Sequence, residues 1–360
     1  MADLLVPSPL IISSHTGEYS AVFTDQVLSN PVAIISEDSY VIIDANVANL
    51  YRDRLSLLLS RPTTIVIEAC EEAKTLSRLI PIIDQLVERK IRRSNHLIAI
   101  GGGVIQDITC FIASILLRGI EWQFVPTTLL AQADSCIGSK SSINLEAAKN
   151  MVGTFYPPRN IWIDKEFLTT LSETELRSGL GEILKVHAID SAESFDDLAI
   201  EVPALLHDLG LLERRIYKSL LIKKRFIEID EFDRGIRNVF NFGHSFGHAI
   251  EAATDFAVPH GIAVTMGMDI ACHVACARSL ITRDSYMRMS VALKSNYEPF
   301  KSVEIPMDLM FNALAKDKKN TATDLGLVLP VGANSIIELV KIAPDDTFKR
   351  QLTSAVAALA

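Results

Sequence analysis

The sequence predicts an α/β domain with a mostly parallel sheet over residues 1–167, followed by an all-α domain over residues 168–360. Three observations carry that reading. Short β-branched runs alternate with helix-periodic stretches through the first half, strand candidates become scarce after residue 164, and a helix-start signal opens the second half. In order, Tyr40-Val41-Ile42-Ile43, Thr64-Ile65-Val66-Ile67, Leu97-Ile98-Ala99-Ile100 and Trp122-Gln123-Phe124-Val125 read as buried strands. Amphipathic stretches such as Ala73 to Arg89 lie between them, and Ile161-Trp162-Ile163-Asp164 reads as the last strand. Ser172-Glu173-Thr174-Glu175 then has the serine-to-glutamate spacing of a capping box, after which helix follows helix. A junction of this kind is a favoured place for a ligand cleft.

Composition narrows the function classes. Of 360 residues, 49% are hydrophobic and 22% charged, a balance that supports a substantial core. A net charge of −9 argues against a general nucleic-acid binder, which needs a concentrated basic surface. Five cysteines (Cys70, Cys110, Cys136, Cys272 and Cys276) form no short-loop disulfide pattern and suit a reducing compartment. Cys272 and Cys276, near His273, read as small buried hydrophobes rather than as a second metal site. The N-terminus lacks a signal-peptide pattern, and no uninterrupted apolar run reaches the roughly 18 residues of a membrane span. The expectation is a cytoplasmic protein that binds neither nucleic acid nor membrane.

The densest chemical signal is Asn241-Phe242-Gly243-His244-Ser245-Phe246-Gly247-His248-Ala249-Ile250-Glu251, followed by His260-Gly261. Neutral imidazoles can hold a transition metal with a coordination position left open. Phe246, Ala249, Ile250 and Ala253 recur at helical spacing, so His244 and His248 fall on one helix face as a candidate i, i+4 clamp, with His260 within reach. Histidines hydrogen-bonded in a core are the competing reading.

Ile98-Ala99-Ile100-Gly101-Gly102-Gly103-Val104-Ile105-Gln106-Asp107 runs a strand through three glycines into a helix. Such a turn lets backbone approach a pyrophosphate beside a helix N-terminus, as in Rossmann-like dinucleotide sites, although this is not the GxGxxG fingerprint and glycines also serve tight packing. Asp44, in Asp44-Ala45-Asn46, reads equally as a ribose acceptor or as a helix cap. Cationic and polar residues then gather: Asp134, Lys140, Asn144, Lys149, Asn150, Glu182, Lys185, Lys223, Arg237, Asn241, Lys318 and Lys319. If several converge, they suit an anion, arginine favouring a carboxylate and lysine a phosphate.

With these residues in hand, the chain resembles the 3-dehydroquinate synthase family of sugar-phosphate cyclases. The matching blocks are Gly101-Gly102-Gly103-Val104 with Asp107; Arg118-Gly119; Pro126-Thr127-Thr128-Leu129-Leu130-Ala131-Gln132 with Asp134-Ser135 and Lys140; Lys149-Asn150; Glu182 and Lys185; Arg237 through Glu251; His260-Gly261; and Asp317-Lys318-Lys319. They occur in family order from about residue 40 to 330. The resemblance implies an NAD-binding α/β domain, a helical metal- and substrate-binding domain, and a homodimer. It assigns the metal, usually zinc with cobalt possible, to Glu182, His244 and His260. His248 becomes a substrate-facing residue, not half of a clamp.

The implied reaction converts 3-deoxy-D-arabino-heptulosonate 7-phosphate to 3-dehydroquinate and phosphate by transient NAD-dependent oxidation, β-elimination, reduction and intramolecular aldol closure. By the same resemblance NAD+ is held by Asp44, Asn46, Glu71, Lys74, Gly101, Gly102, Gly103, Val104, Asp107, Thr127, Thr128 and Lys149. Lys185 and Asp134 position substrate hydroxyls. Lys140, Asn150, Asn241, His248 and Lys318 surround the phosphate, with Arg118 reaching across the dimer, and Lys223 and Arg237 hold the carboxylate.

Several positions depart from the family pattern. Gly-Gly-Lys-Thr-Gly-Val-Asn is Gly138-Ser139-Lys140-Ser141-Ser142-Ile143-Asn144 here, the glutamate after His-Gly is Ile262, the glycine before Asp107 is Gln106, and Cys70-Glu71 lacks the usual preceding glycine. These changes admit a cyclase making aminodehydroquinate, 2-deoxy-scyllo-inosose or epi-valiolone. An alcohol dehydrogenase of the glycerol dehydrogenase type shares the two-domain layout.

Overall fold

The carboxyl ends of adjacent strands carry most of the expected cofactor residues, and the sheet order explains why. The structure, a computed structural model, describes residues 9–145, 148–316, 320–321 and 323–360, without the side chains of 148 and 149. Residues cluster into two compact units, the first comprising 1–171 with 224–232 and the second 172–223 with 233–360. The expected boundary at 167 falls just ahead of this division, and no sequence signal placed 224–232 with the first unit.

In the first unit the strands are β1 (Leu10–Ser14), β2 (Gly17–Phe23), β3 (Ser39–Asp44), β4 (Thr64–Ile67), β5 (His96–Gly101), β6 (Trp122–Pro126), β7 (Lys140–Leu145), β8 (Ala148–Phe155) and β9 (Asn160–Ile163). Seven of them form one sheet in the order β1-β2-β9-β6-β5-β3-β4. All its pairs are parallel except the β1–β2 hairpin. Val41, Ile42, Ile43, Leu97, Ile98, Ala99, Ile100, Phe124 and Val125 are wholly buried, as central parallel strands covered on both faces require. The chain leaves β3 toward β4 on one side, whereas β5, β6 and β9 lie on the other. The ends of β3 and β5 therefore flank the topological switch point, the preferred ligand crevice of open α/β sheets.

The five expected strands are β3, β4, β5, β6 and β9. Sequence reading missed the β1–β2 hairpin and the antiparallel pair β7–β8, whose polar Lys140-Ser141-Ser142 start looks like loop. The helices of this unit include α1 (Ala45–Leu50), α2 (Leu76–Glu88) and α3 (Gly103–Ile115). α2 lies within the expected amphipathic stretch and buries Leu79, Ile82 and Leu86, one face at spacings of three and four.

The second unit is helical. It contains α4 (Glu173–Asp190), most of α5 (Leu209–Ile229), α6 (His244–Ala253), α7 (His260–Ala277), α8 (Arg283–Tyr297), α9 (Met307–Ala315) and α10 (Asp346–Ala357). One antiparallel hairpin, β10 (Leu325–Val331) with β11 (Ile336–Ile342), is added to the all-α layout expected from sequence. Ser172 caps α4 in a reciprocal capping box with Glu175, as its spacing predicts. α7 is the hub and packs against α4, α6, α8 and α10. It is also the one helix among the described residues long and apolar enough to cross a membrane, and 78% of it is buried, the character of a core helix. Asn296 on α8 ties the hub together, its amide donating to Arg177 O and Thr265 Oγ1, both at 3.0 Å.

Candidate active site

Helices meet closely in the second unit where side chains vanish. A Cβ on Gly181 of α4 would collide with the Gly261 carbonyl of α7, and one on Gly261 with the Ser178 carbonyl. At the α6–α7 crossing, Gly247 lies so near Val264 that a Cβ would meet its backbone at 3.0 Å. These approaches bring the first turns of α6 and α7 beside the middle of α4. Consequently His244, His248 and His260 each offer a ring nitrogen, all within 4.8 Å of one another. Glu182 Oε1 lies 3.8 Å from His244 Nε2 and 3.5 Å from His260 Nε2.

Hydrogen bonds aim these rings. His244 Nδ1 donates to the Phe242 carbonyl at 3.3 Å, which leaves Nε2 as the lone-pair nitrogen facing Glu182. His260 Nδ1 lies 3.3 Å from both oxygens of Glu251, the outer carboxylate that commonly fixes a ligating histidine. Burial opposes charge on His260, but Glu182 and Glu251 overcome it and lift its pKa to about 10. Burial and then Lys185 push His244 well below its ordinary value. One imidazole is thus kept neutral, and a carboxylate pair draws positive charge beside it. That donor set of nitrogen and oxygen ligands fits a divalent zinc-like metal.

Lys185 faces the same carboxylate. Its Nζ pairs with Glu182 Oε2, both side chains are only 3% exposed, and the ammonium lies 5.6 Å from the Phe240 ring centroid. Lys223 and Arg237 are buried in this unit at 8% and 7% exposure, and the half-buried Asn241 donates to Asn238 O at 3.1 Å. His248 is exposed.

In the first unit the glycine turn separates its two explanations. A Cβ on Gly101 would meet Ile105 Cγ1 at 2.5 Å and Cβ at 2.8 Å, so packing demands glycine there, and one on Gly102 would press tightly on Thr128 Cγ2 at 3.0 Å. Gly103 faces open space, with nothing within 4 Å of a Cβ, and α3 starts there without a side-chain cap. Its first N–H groups and dipole suit an anion. Asp44 does cap α1, Oδ1 accepting from Asn46 N–H at 2.9 Å. Thr127 is buried, its N–H donating to Gly101 O at 3.0 Å.

A polar chain joins the other expected cofactor residues. Lys74 Nζ bonds Asp107 Oδ2 at 2.8 Å and lies 3.5 Å from Glu71 Oε1. Ser142 donates to Asp107 through its N–H and hydroxyl, both at 3.1 Å. Asn144 donates to Glu71 Oε1 at 2.8 Å and accepts from the Asn150 N–H at 2.8 Å. Burial opposes the Lys74 charge, but Asp107 and Glu71 outweigh it and raise its pKa. Asp134 is buried in a π-helical turn, Ala131–Ser135, while Lys140 is exposed. The exposed Arg118 sits among three residues of positive φ, Leu117 at 53°, Arg118 at 69° and Gly119 at 110°. The Lys149 side chain, Lys318 and Lys319 lie outside the described residues.

Residues 64–178 match the family described as 3-dehydroquinate synthase N-terminal, and residues 179–320 match 3-dehydroquinate synthase C-terminal. The chain belongs to the 3-dehydroquinate synthase family. The 3-dehydroquinate synthase of Alkaliphilus metalliredigens is 35% identical over 314 residues, spanning 85% of this chain and 87% of that one. Among solved structures, the 2-epi-5-epi-valiolone synthase of Streptomyces hygroscopicus subsp. jinggangensis, with NAD+ and Zn2+ bound, is 28% identical at a TM-score of 0.81, covering 95% of this chain and 96% of that one. A 2-deoxy-scyllo-inosose synthase complexed with carbaglucose-6-phosphate, NAD+ and Co2+ shares the fold at 22% identity and a TM-score of 0.80, covering 97% of this chain and 99% of that one.

Against the family pattern, the departures become structural features. Gln106 and Ser135 exchange two 2.7 Å hydrogen bonds, bracing the turn that carries Asp134. Ile262 is wholly buried in α7. The contact of Glu251 with His260 escaped the sequence reading, although its position three residues after His248 on one helix face was the available signal.

Proposed function

We propose that this family member converts 3-deoxy-D-arabino-heptulosonate 7-phosphate to 3-dehydroquinate and phosphate. The observation that carries the proposal is the cluster of Glu182, His244 and His260 with the buried Lys185 on the same carboxylate. These three ligands would hold a zinc or cobalt ion, and the residues around Gly101–Gly103, Asp44 and the Lys74–Asp107 pair would hold NAD+. When bound, the dinucleotide would accept and return a hydride and the metal would polarise the alcohol being oxidised.

The protein's own groups do the rest. Lys185, steadied by Glu182 and Phe240, donates to a substrate hydroxyl, and Asp134 orients a second. Oxidation of a ring alcohol to a ketone would make the neighbouring C–H acidic, so its proton could pass to an oxygen of the substrate's own phosphate as that group departs by β-elimination. Lys140, Asn150, Asn241, His248 and Lys318 offset the charge that collects on the leaving phosphate. Arg237, with Lys223, holds the carboxylate, a planar group that suits guanidinium. Once the ketone is reduced again, ring opening and intramolecular aldol closure would complete the product. The proposed working form is a cytoplasmic homodimer in which the exposed Arg118 serves the partner's substrate.

Purified protein with metal, NAD+ and the heptulosonate phosphate is expected to release phosphate and 3-dehydroquinate in equal amounts without net NADH. Accumulating NADH would instead mark an alcohol dehydrogenase. Cyclisation of another sugar phosphate, with the heptulosonate phosphate untouched, would assign the chain to a sister cyclase.

A further inference from the structure

Ser139 stands where the family pattern has glycine, and its backbone shows why glycine is usual. The Lys140 N–H donates to the Gly138 carbonyl at 2.8 Å, closing a three-residue turn with φ of 58° at Ser139 and 115° at Gly138. That is the rare, strained form of the γ-turn, in a left-handed region that disfavours a residue with a Cβ. The Ser139 hydroxyl, itself nearly buried, donates to Glu231 Oε1 at 2.8 Å. Glu231 is anchored in turn, accepting from His15 Nδ1 at 2.9 Å and from the His15 backbone N–H at 2.7 Å. Glu228 accepts the Ser13 N–H at 2.8 Å, and the Phe232 ring packs against His15 and Phe155 at 5.2 and 5.0 Å. All these residues belong to the first unit. Strain of this kind persists only where surrounding contacts hold it, and here it lies immediately before Lys140.

We propose that Ser139 is a positioning residue for recognition of the substrate's phosphate monoester, its hydroxyl locking to Glu231 the turn that presents Lys140. The inference rests on the assignment of Lys140 to the phosphate. The hydrogen bond takes over what glycine's conformational freedom supplies in the family pattern, and it replaces a permissive turn by a fixed one.

The test uses the full chain loaded with metal and NAD+, with inorganic phosphate as the binding probe in calorimetry and the sugar phosphate for kinetics. Ser139→Ala keeps the strain but loses the bond, so phosphate Kd and sugar-phosphate KM are expected to rise about tenfold with kcat within about twofold. Ser139→Gly, which also relieves the strain, should lose only about threefold. Adding Glu231→Ala to Ser139→Ala should weaken phosphate binding little further, because both remove one interaction. Thermal melting checks that each variant is folded. Unchanged phosphate affinity in folded Ser139→Ala, or losses that add fully in the double variant, overturns the proposal. If the heptulosonate phosphate is not turned over while Ser139→Ala still weakens inorganic phosphate binding, the functional reading falls and the positioning role stands.

Discussion

The proposed metal cluster of the helical unit and the proposed cofactor cluster of the α/β unit are built on opposite principles. In the helical unit, Glu182, Lys185, His244 and His260 project from helices whose positions are fixed by glycine-mediated backbone contact, and charge is buried there to 3% exposure at Glu182 and Lys185. In the α/β unit, Lys74, Asp107, Glu71, Asn144 and Asn150 are held by a chain of hydrogen bonds that joins α3 to loops and strand ends. A close-packed helical scaffold suits ligands that must converge on one metal within tenths of an ångström, whereas a polar network suits an extended cofactor contacted at many separate points.

Removing one partner of the buried pair should give the largest effect. Glu182→Ala leaves Lys185 without its carboxylate and is expected to cost about 3–5 kcal/mol in denaturant unfolding, together with the bound metal. A variant of native stability and full metal content would break the contrast. In the polar network, Lys74→Met should cost about 1.5–3 kcal/mol and raise the KM for NAD+ while leaving metal content intact. Loss of metal there would show that the two clusters are not independent.

Crossing geometry can be probed without touching a ligand. Gly261→Ala forces apart α4 and α7 and should cost about 1–3 kcal/mol, with weakened metal binding as Glu182 withdraws from His260. Unaltered metal affinity, measured by competition with a chelator, would mean the close crossing does not set ligand positions.

Burial in α4 also has a pH signature at His187. Burial first, then Arg215 and Lys218, lower its pKa to about 3, although the ring accepts or donates at Ser194. The unfolded chain takes up this proton near pH 6.5, whereas the folded chain resists it until about 3. Stability from this group is therefore fully present above 6.5 and falls by about 1.4 kcal/mol per pH unit as pH drops toward 3. His187→Gln should flatten that slope in denaturation measured between pH 6.5 and 4, and an identical slope would remove His187 as its source.

The smallest change in stability is expected at the open glycine. Gly103→Ala has room for its methyl and starts a helix, so stability should hold or rise by up to about 1 kcal/mol. NAD+ affinity should nevertheless fall, because the methyl occupies space needed for close approach. Unimpaired binding would place the pyrophosphate elsewhere.

Much of this arrangement was legible in the chain itself. Uninterrupted apolar runs mark β3 to β6 because central parallel strands are buried on both faces, and Ser172 with Glu175 marks the start of α4 because capping is local. The β7–β8 hairpin was illegible, since its strands open on mostly polar residues and lack the apolar run that marks a buried strand. The β10–β11 hairpin was lost among helical periodicities. At the histidines, the i, i+4 spacing did bring His244 and His248 together, with ring centroids 5.4 Å apart. It carried no information about Glu182, more than fifty residues away, or about Glu251 steering His260.

The sequence by itself determined the alternating architecture, the glycine turn at the end of β5 and the family that sets the chemistry, because each is written in local spacing or in ordered motifs. Tertiary structure alone decided which glycine is open, which carboxylate faces the imidazoles, and that Ser139 is held at positive φ by Glu231. Those outcomes depend on distances between segments far apart in the chain, which backbone approach and buried charge fix only once the helices and strands have packed.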